Sequence, residues 1–258
     1  MTSLAQILGS MARADNSWTV TIPGTWMQGR TSYGGLSSAV AHHCATACVT
    51  DCPPLRSAQI AFAGPLAGDV TITAELLRRG RNTAFVETRT TSRDGTGLAC
   101  NFIFMNPRVS TVEHNDISAP DFPPPPGKDD IRNGPPEFFT HHMDYPEKRL
   151  ELGLGTPKLM QWHRLRERDG LDPITELLCV GDALPPSAMG LMTEPGNVSS
   201  MNWQVNMLTN TPQTKDGWWL LESETHHAHD GASSQYMTVY NSDRKPVMRA
   251  MQSVALFV

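Results

Sequence analysis

The chain has 258 residues, enough to bury a sizeable core as one large domain or two small ones. Its 21 lysines and arginines stand against 26 aspartates and glutamates, a formal net charge of -5, so neither nucleic acid nor an anionic membrane surface is expected as a partner. No run approaches the roughly 18 apolar residues of a membrane span, and the opening MTSLAQILGSMARADNS lacks a charged segment followed by an apolar one, which predicts a soluble cytoplasmic protein.

In chain order, the first strong signal is RTSYGGLSSAVAHHCATACV, Arg30 to Val49, where Gly34 and Gly35 precede a run with Leu36, Val40, His43, Cys44 and Ala47 at helical spacing. The sequence DCPP, Asp51 to Pro54, ends that helix. Cys44, Cys48 and Cys52 recur every fourth residue, which lines one helix face with small packing residues and does not form a CxxC metal knuckle. With an odd total of five cysteines and no export signal, a disulfide framework is not expected.

From Leu55 to Asn106 four β-rich runs follow, LRSAQIAFAGPL, DVTITAELLRRG, NTAFVETRTTSRDG and TGLACNFIFMN, punctuated by Gly, Asp and Pro. Alternation in VTITAELL and AFVETRT predicts strands with one buried face, and therefore an antiparallel meander laid over the helix. Residues 107 to 140 then carry SAPDFPPPPGKDDIRNGPPEFF, where Pro123 to Pro126 cannot join a ladder, so this segment reads as a linker or surface crossover.

The last hundred residues repeat the opening pattern. DPITELLCVGDALPP, Asp172 to Pro186, is a helix with Pro in its first turn and a Pro-Pro stop, followed by strands in SSMNWQVNML, GWWLLESETHHAH, SSQYMTVYNSD and KPVMRAMQSVALFV. A shift of 149 positions aligns Gly68 with Gly217, Glu75 with Glu224 and Asp94 with Asp243 without a gap. The chain reads as two copies of one α+β unit, residues 1–110 and 141–258, joined by a Pro-rich linker over 111–140.

GRTSYGG ahead of a helix, the strand pair around RRGRNTAFVE, and a second half ending in VMRAMQSVALF resemble the double-hotdog acyl-CoA thioesterases of the acyl-CoA thioesterase II type. The likeness covers nearly the whole chain outside the Pro-rich middle, more loosely in the second half. It implies an α+β double hotdog, with antiparallel sheets wrapped on central helices and joined, and hydrolysis of an acyl-CoA thioester without a metal or redox cofactor. Such a fused pair already supplies the dimer that single hotdogs form, although an exposed sheet edge could still pair with another copy.

Within that resemblance, Gly34 and Gly35 sit at a helix start, where unpaired N–H groups and the positive end of the helix dipole suit a thioester oxyanion, with Gly35 the expected donor. Paired glycines equally permit close packing or a turn. Tyr33, Gly34 and Arg81 are the candidate substrate-binding residues. Arg78, Arg79 and Arg81 could attract coenzyme A phosphates, or RRGR could be a solvated turn.

The family's water-holding Asp, hydroxyl and Gln align with Asn202, with Thr225 or His226, and with Gln252. Asn202 is a departure, because an amide orients water but accepts no proton from it. His226, or His227 on the opposite strand face, is the candidate substitute base, since imidazole titrates near neutral pH. If no base replaces the carboxylate, the alternative is a non-catalytic acyl-CoA or acyl-chain binding protein. The cluster HHAHD, His226 to Asp230, has no accompanying metal motif, and GGLSS is not a serine-hydrolase elbow, so Ser37 and Ser38 read as packing or capping residues.

Overall fold

Strand residues alternate between buried and exposed along most of their length, and in the computed structural model, which describes residues 2–148 and 155–258, this alternation builds one continuous sheet. The strands are β1 Ala12–Ala14, β2 Ser17–Ile22, β3 Met27–Gln28, β4 Thr31–Ser32, β5 Leu55–Phe62, β6 Gly68–Arg79, β7 Thr83–Ser92 and β8 Gly95–Met105 in the first half. β9 Ile131–Arg132, β10 Met143–Pro146, β11 Lys158–Leu165, β12 Asn197–Met207, β13 Trp219–His229, β14 Ala232–Tyr240 and β15 Pro246–Phe257 follow. Among the described residues there are three α-helices, α1 Leu4–Gly9, α2 Gly34–Ala47 and α3 Pro173–Gly181.

The sheet holds 13 strands in the order β1-β2-β6-β7-β8-β5-β12-β15-β14-β13-β11-β10-β9, with β3 and β4 pairing apart. Its middle is the antiparallel contact of β5 with β12, where Trp203 lies opposite Ile60 and Val205 opposite Ala58. Read outward from that seam, β8-β7-β6-β2 on one side mirrors β15-β14-β13-β11 on the other. The 149-residue shift carries β7 onto β14, so the duplication read from the sequence is present in the strand order. Its outer strands β1 and β9 have only three and two residues, which leaves a second copy little ladder to extend.

α2 buries ten of its residues, including Gly35, Leu36, Ala39 and Cys44, and lies against β6, β7, β8 and α3. The helices meet end to start. The beginning of α2 faces the end of α3, while near the other end His42 Nδ1 lies 3.0 Å from Thr175 Oγ1. One core cluster spans both halves, with Phe102, Leu177 and Trp203 fully enclosed. The Pro-rich crossover lies on the opposite face of the second half's sheet. There Ile117 and Phe122 pack against Trp162, Trp218, Leu220 and Tyr240, and Trp162 Nε1 donates to the Pro123 carbonyl at 2.9 Å. No helix among the described residues is long and apolar enough to cross a membrane.

Candidate active site

The site forms where α3 stops. Asp172 caps the helix by accepting from the Thr175 N–H at 2.8 Å, Pro173 fits the first turn, and nine residues later the chain leaves the helix at Asp182. That exit aims the Asp182 carboxylate at the start of α2. A Cβ on Gly34 would lie 2.6 Å from Asp182 Oδ2 and 3.0 Å from the Phe62 ring, and one on Gly35 would lie 2.3 Å from the Cys179 carbonyl oxygen. Both glycines are therefore required by the close approach of the two helix ends. The Gly35 N–H is turned to the Asp182 carboxylate and favours its ionised form.

Burial pushes the Asp182 carboxyl up from 3.8 to about 7, and the hydrogen bonds from Gln252 and from Gly35 N–H pull only partly in the other direction. Gln252 Nε2 donates to Asp182 Oδ1 at 2.9 Å. Behind it runs a buried polar chain: Gln235 Nε2 donates to Gln252 Oε1 at 2.7 Å, and Ser187 N–H to Gln235 Oε1 at 2.9 Å. Ser187 Oγ lies 2.8 Å from Thr225 Oγ1 and accepts from Ser223 Oγ at 3.1 Å. Thr225, Gln235 and Gln252 are cross-strand neighbours on β13, β14 and β15, so the sheet register itself sets them in one row. With both its amide groups engaged, Gln252 has little rotational freedom, and it fixes Asp182 in turn.

A cavity of about 420 Å³ opens on this carboxylate. Its buried part is lined by Ser32, Ser37, Leu66 and Leu98, the half-buried Gly34 and Phe62 stand nearer the opening, and its rim includes Arg30, Gln28, Ser199 and Ser200. Asp182 and Gly34 stand side by side in its wall.

The other candidates from the sequence lie as follows. Gln252 and Thr225 belong to the chain of hydrogen bonds, but the Thr225 hydroxyl is turned to Ser187. Tyr33 is buried away from the cavity. Its hydroxyl donates to the Cys179 carbonyl at 2.7 Å and its ring stacks on Phe139 at 3.9 Å, so it clamps the two helices. Asn202 requires a correction. It sits on the outward face of β12, because Trp203, Val205 and Met207 take the inward positions, and its Oδ1 accepts from the Ser253 N–H at 3.0 Å. The carboxylate beside Gln252 is Asp182. His226 also faces outward, next to a bulge, with its ring 4.7 Å from that of Tyr236, and it does not line the cavity. Arg81 lies in the exposed turn between β6 and β7, and the arginine at the cavity is Arg30.

Asp182, Gln235 and Ser187 are absent from the residues picked out by sequence, and Arg30 stands there only as part of the GRTSYGG helix start, with no role of its own. Of the first three, Asp182 left a trace, as a solitary acid inside the apolar run LLCVGDAL at the end of a helix, where the dipole disfavours negative charge.

Comparison with known proteins bears on the family and the fold. The chain belongs to the acyl-CoA thioesterase family: residues 22–105 match its N-terminal domain and residues 116–256 its C-terminal domain. No curated protein matches the chain in sequence. Among solved structures, it resembles a conserved hot dog fold protein of unknown function from Alicyclobacillus acidocaldarius, at 16% identity, 100% and 99% coverage of the two chains and a TM-score of 0.84. It also resembles the acyl-CoA thioesterase II TesB2 of Mycobacterium marinum, at 17% identity, 98% coverage of each chain and a TM-score of 0.78. A tesB protein of Mycobacterium avium subsp. paratuberculosis is similar at 15% identity, with 98% and 97% coverage and a TM-score of 0.76. At such identities the likeness speaks for the fold, which is a double hotdog of the α+β class.

Proposed function

We propose that the cavity hydrolyses acyl-CoA thioesters to a carboxylic acid and free coenzyme A, with Asp182 as the general base. The observation that carries this reading is a carboxylate held near neutrality at a cavity wall, fixed by Gln252 and facing a glycine-only helix start. Asp182 takes a proton from water as its oxygen attacks the thioester carbonyl carbon. The oxyanion of the tetrahedral intermediate falls to the first turn of α2, whose N–H groups have no intrahelical partners. Since the Gly35 N–H is engaged by Asp182, its neighbour Gly34, in the cavity wall, is the donor assigned to the oxyanion. Collapse of the intermediate breaks the C–S bond, and the proton held by Asp182 passes to the departing thiolate. Water and thioester thus become acid and thiol, with no metal or redox step.

Arg30, on the rim, is the cation proposed to meet the phosphates of coenzyme A, with the acyl group directed to the buried floor. The binding-protein alternative rested on an amide in the place of the acid, and Asp182 removes that reason. The direct test is release of coenzyme A from short, long and aromatic acyl-CoAs by the wild type and by Gln252→Ala. Turnover that drops at least tenfold in the variant supports the reading. Acyl-CoA binding without turnover across the panel sinks it in favour of a binding protein.

A further inference from the structure

We infer that Gln235 and the backbone of Ser187, neither of which lines the cavity, are positioning groups that decide which end of the Gln252 amide meets Asp182. A carboxamide has a donor end and an acceptor end of nearly equal size on a soft terminal torsion, so a lone Gln beside an acid can turn either end to it. A backbone N–H has no such choice, because it only donates. At Ser187 it is also held in place. Pro186 precedes it with φ -53°, and Ser187 opens the short helical turn Ser187–Gly190, whose first N–H groups have no partner within the turn.

From that fixed donor the direction of each later bond follows. Ser187 N–H meets Gln235 at 2.9 Å, and an NH2 group turned to it would set donor against donor, so Gln235 presents Oε1. The Ser187 hydroxyl adds a second donor to the same oxygen at 3.2 Å, and Ser223 Oγ donates to Ser187 Oγ at 3.1 Å. Gln235 Nε2 therefore points at Gln252, 2.7 Å away. The same exclusion makes Gln252 present Oε1 to Gln235 and Nε2 to Asp182 Oδ1, 2.9 Å away. Ser187, Ser223, Gln235 and Gln252 are all buried, where an amide turned the wrong way would lose its bonds without replacement from solvent.

The consequence falls on the acid. An ionised carboxylate accepts from an NH2 group, whereas a protonated one can donate to a carbonyl oxygen, so a Gln252 locked donor-first favours the ionised form that a base needs. Unlocked, the amide follows the acid into either state and that bias is lost. The other titratable groups around Asp182 hold their charge over the relevant range. Burial pushes the Tyr33 hydroxyl and the Cys179 thiol up, so both stay neutral, and the Arg30 guanidinium on the cavity rim is a fixed cation.

The test follows the Asp182 titration by carboxyl carbon NMR on isotopically labelled aspartate, assigned with Asp182→Asn, beside the pH profile of coenzyme A release. The rates rest on the thioesterase reading; the titration does not. Gln235→Met keeps the length without the amide, and Gln235→Ala leaves room for a water that satisfies the Ser187 N–H but gives and accepts equally. In both, the titration and the acid limb of kcat/KM should move up by about half a pH unit or more, the bias of roughly one hydrogen bond. At pH 7, kcat should fall about twofold or more while KM holds. Ser187→Ala keeps the backbone N–H, so its titration should stay within about 0.2 of the wild type. In the unaltered protein the side-chain nitrogen signal of Gln252 should follow the Asp182 titration, which needs no variant to fold. A titration unmoved in a folded Gln235 variant overturns the inference, as does an equal shift in Ser187→Ala or a Gln252 nitrogen that ignores the titration. If no thioester is turned over, hydrolysis itself fails, and the titration alone then decides the inference by the same limits.

Discussion

Replacing Asp182 with asparagine separates the chemistry of the carboxylate from its shape. The amide keeps an oxygen for Gln252 Nε2, which stands 2.9 Å from Asp182 Oδ1, but it takes no proton from water. General base catalysis contributes about 10² to 10⁴ in rate, and kcat for thioester hydrolysis should fall by that factor. Stability moves the other way. Between 3.8 and about 7 the folded chain retains a proton on Asp182 that the unfolded chain has released, so stability from this group falls with rising pH across that window and is flat above it. A difference of about 3, at about 1.36 kcal/mol per pH unit, makes the ionised carboxylate cost roughly 4 kcal/mol. Asparagine removes that cost, in which the opposing pull of Gln252 and Gly35 is already counted. The gain is up to about 4 kcal/mol, a Tm rise of up to roughly 8 to 16 °C near pH 8 for a chain of this size, shrinking towards pH 5. Coenzyme A release and thermal melts at both pH values check it. Turnover within threefold of the wild type, or a Tm lowered equally at both pH values, would refute the role given to Asp182.

Because the base must be ionised, kcat/KM should fall about tenfold per unit as pH drops below about 7 and level off above it; a flat profile from pH 5 to 8 would exclude a base of this kind. Gly35→Ala forces a methyl to within 2.3 Å of the Cys179 carbonyl and 2.6 Å of the Tyr33 ring, so both activity and Tm should drop, with a stability loss of about 1 to 3 kcal/mol on denaturant melts. His226→Ala should leave turnover within twofold of the wild type, since its ring is exposed against Tyr236; a hundredfold loss would return the base to His226. Arg30→Ala should raise KM severalfold with kcat held, more so at low salt, while Arg81→Ala changes neither; equal effects of the two would remove Arg30 from phosphate binding.

The order of elements is legible in the sequence because its causes are local. Alternation in VTITAELL, Gly and Asp at the turns and the DCPP stop each act over a few residues, and the 149-residue shift repeats them. The inward face of β12 is legible too, since Trp203, Val205 and Met207 alternate, and that same alternation turns Asn202 outward. Gln252 is reached through family likeness. Nothing local marks Gln235 or Ser187, whose meaning depends on register between strands and on a turn that follows α3. Asp182 is the instructive omission. Its lone charge at a helix C-terminus conflicts with both burial and the dipole, and a local conflict of that kind is what a functional residue leaves in a sequence.

The duplication gives two equivalent places for a site, yet the two halves carry different chemistry. In the second half the row across β13, β14, β15 and β12 reads Thr225, Gln235, Gln252 and Trp203. The corresponding row across β6, β7, β8 and β5 reads Leu76, Val86, Phe102 and Ala58, with no side-chain hydrogen-bonding group at all. Near Phe102 the first half's helix presents His42, bonded to Thr175 and pushed by burial down to about 4, so it is neutral and closed in. A buried polar row is tolerable only when every member is satisfied, and in the second half Ser187, Thr225, Gln235 and Gln252 satisfy one another while terminating on Asp182. Without a carboxylate to orient, the same row would add desolvation cost and no function, and apolar packing is then the more stable solution. The first half has taken that solution. What it contributes to the proposed site is the other wall: the glycine start of α2, against which the acid at the end of α3 packs.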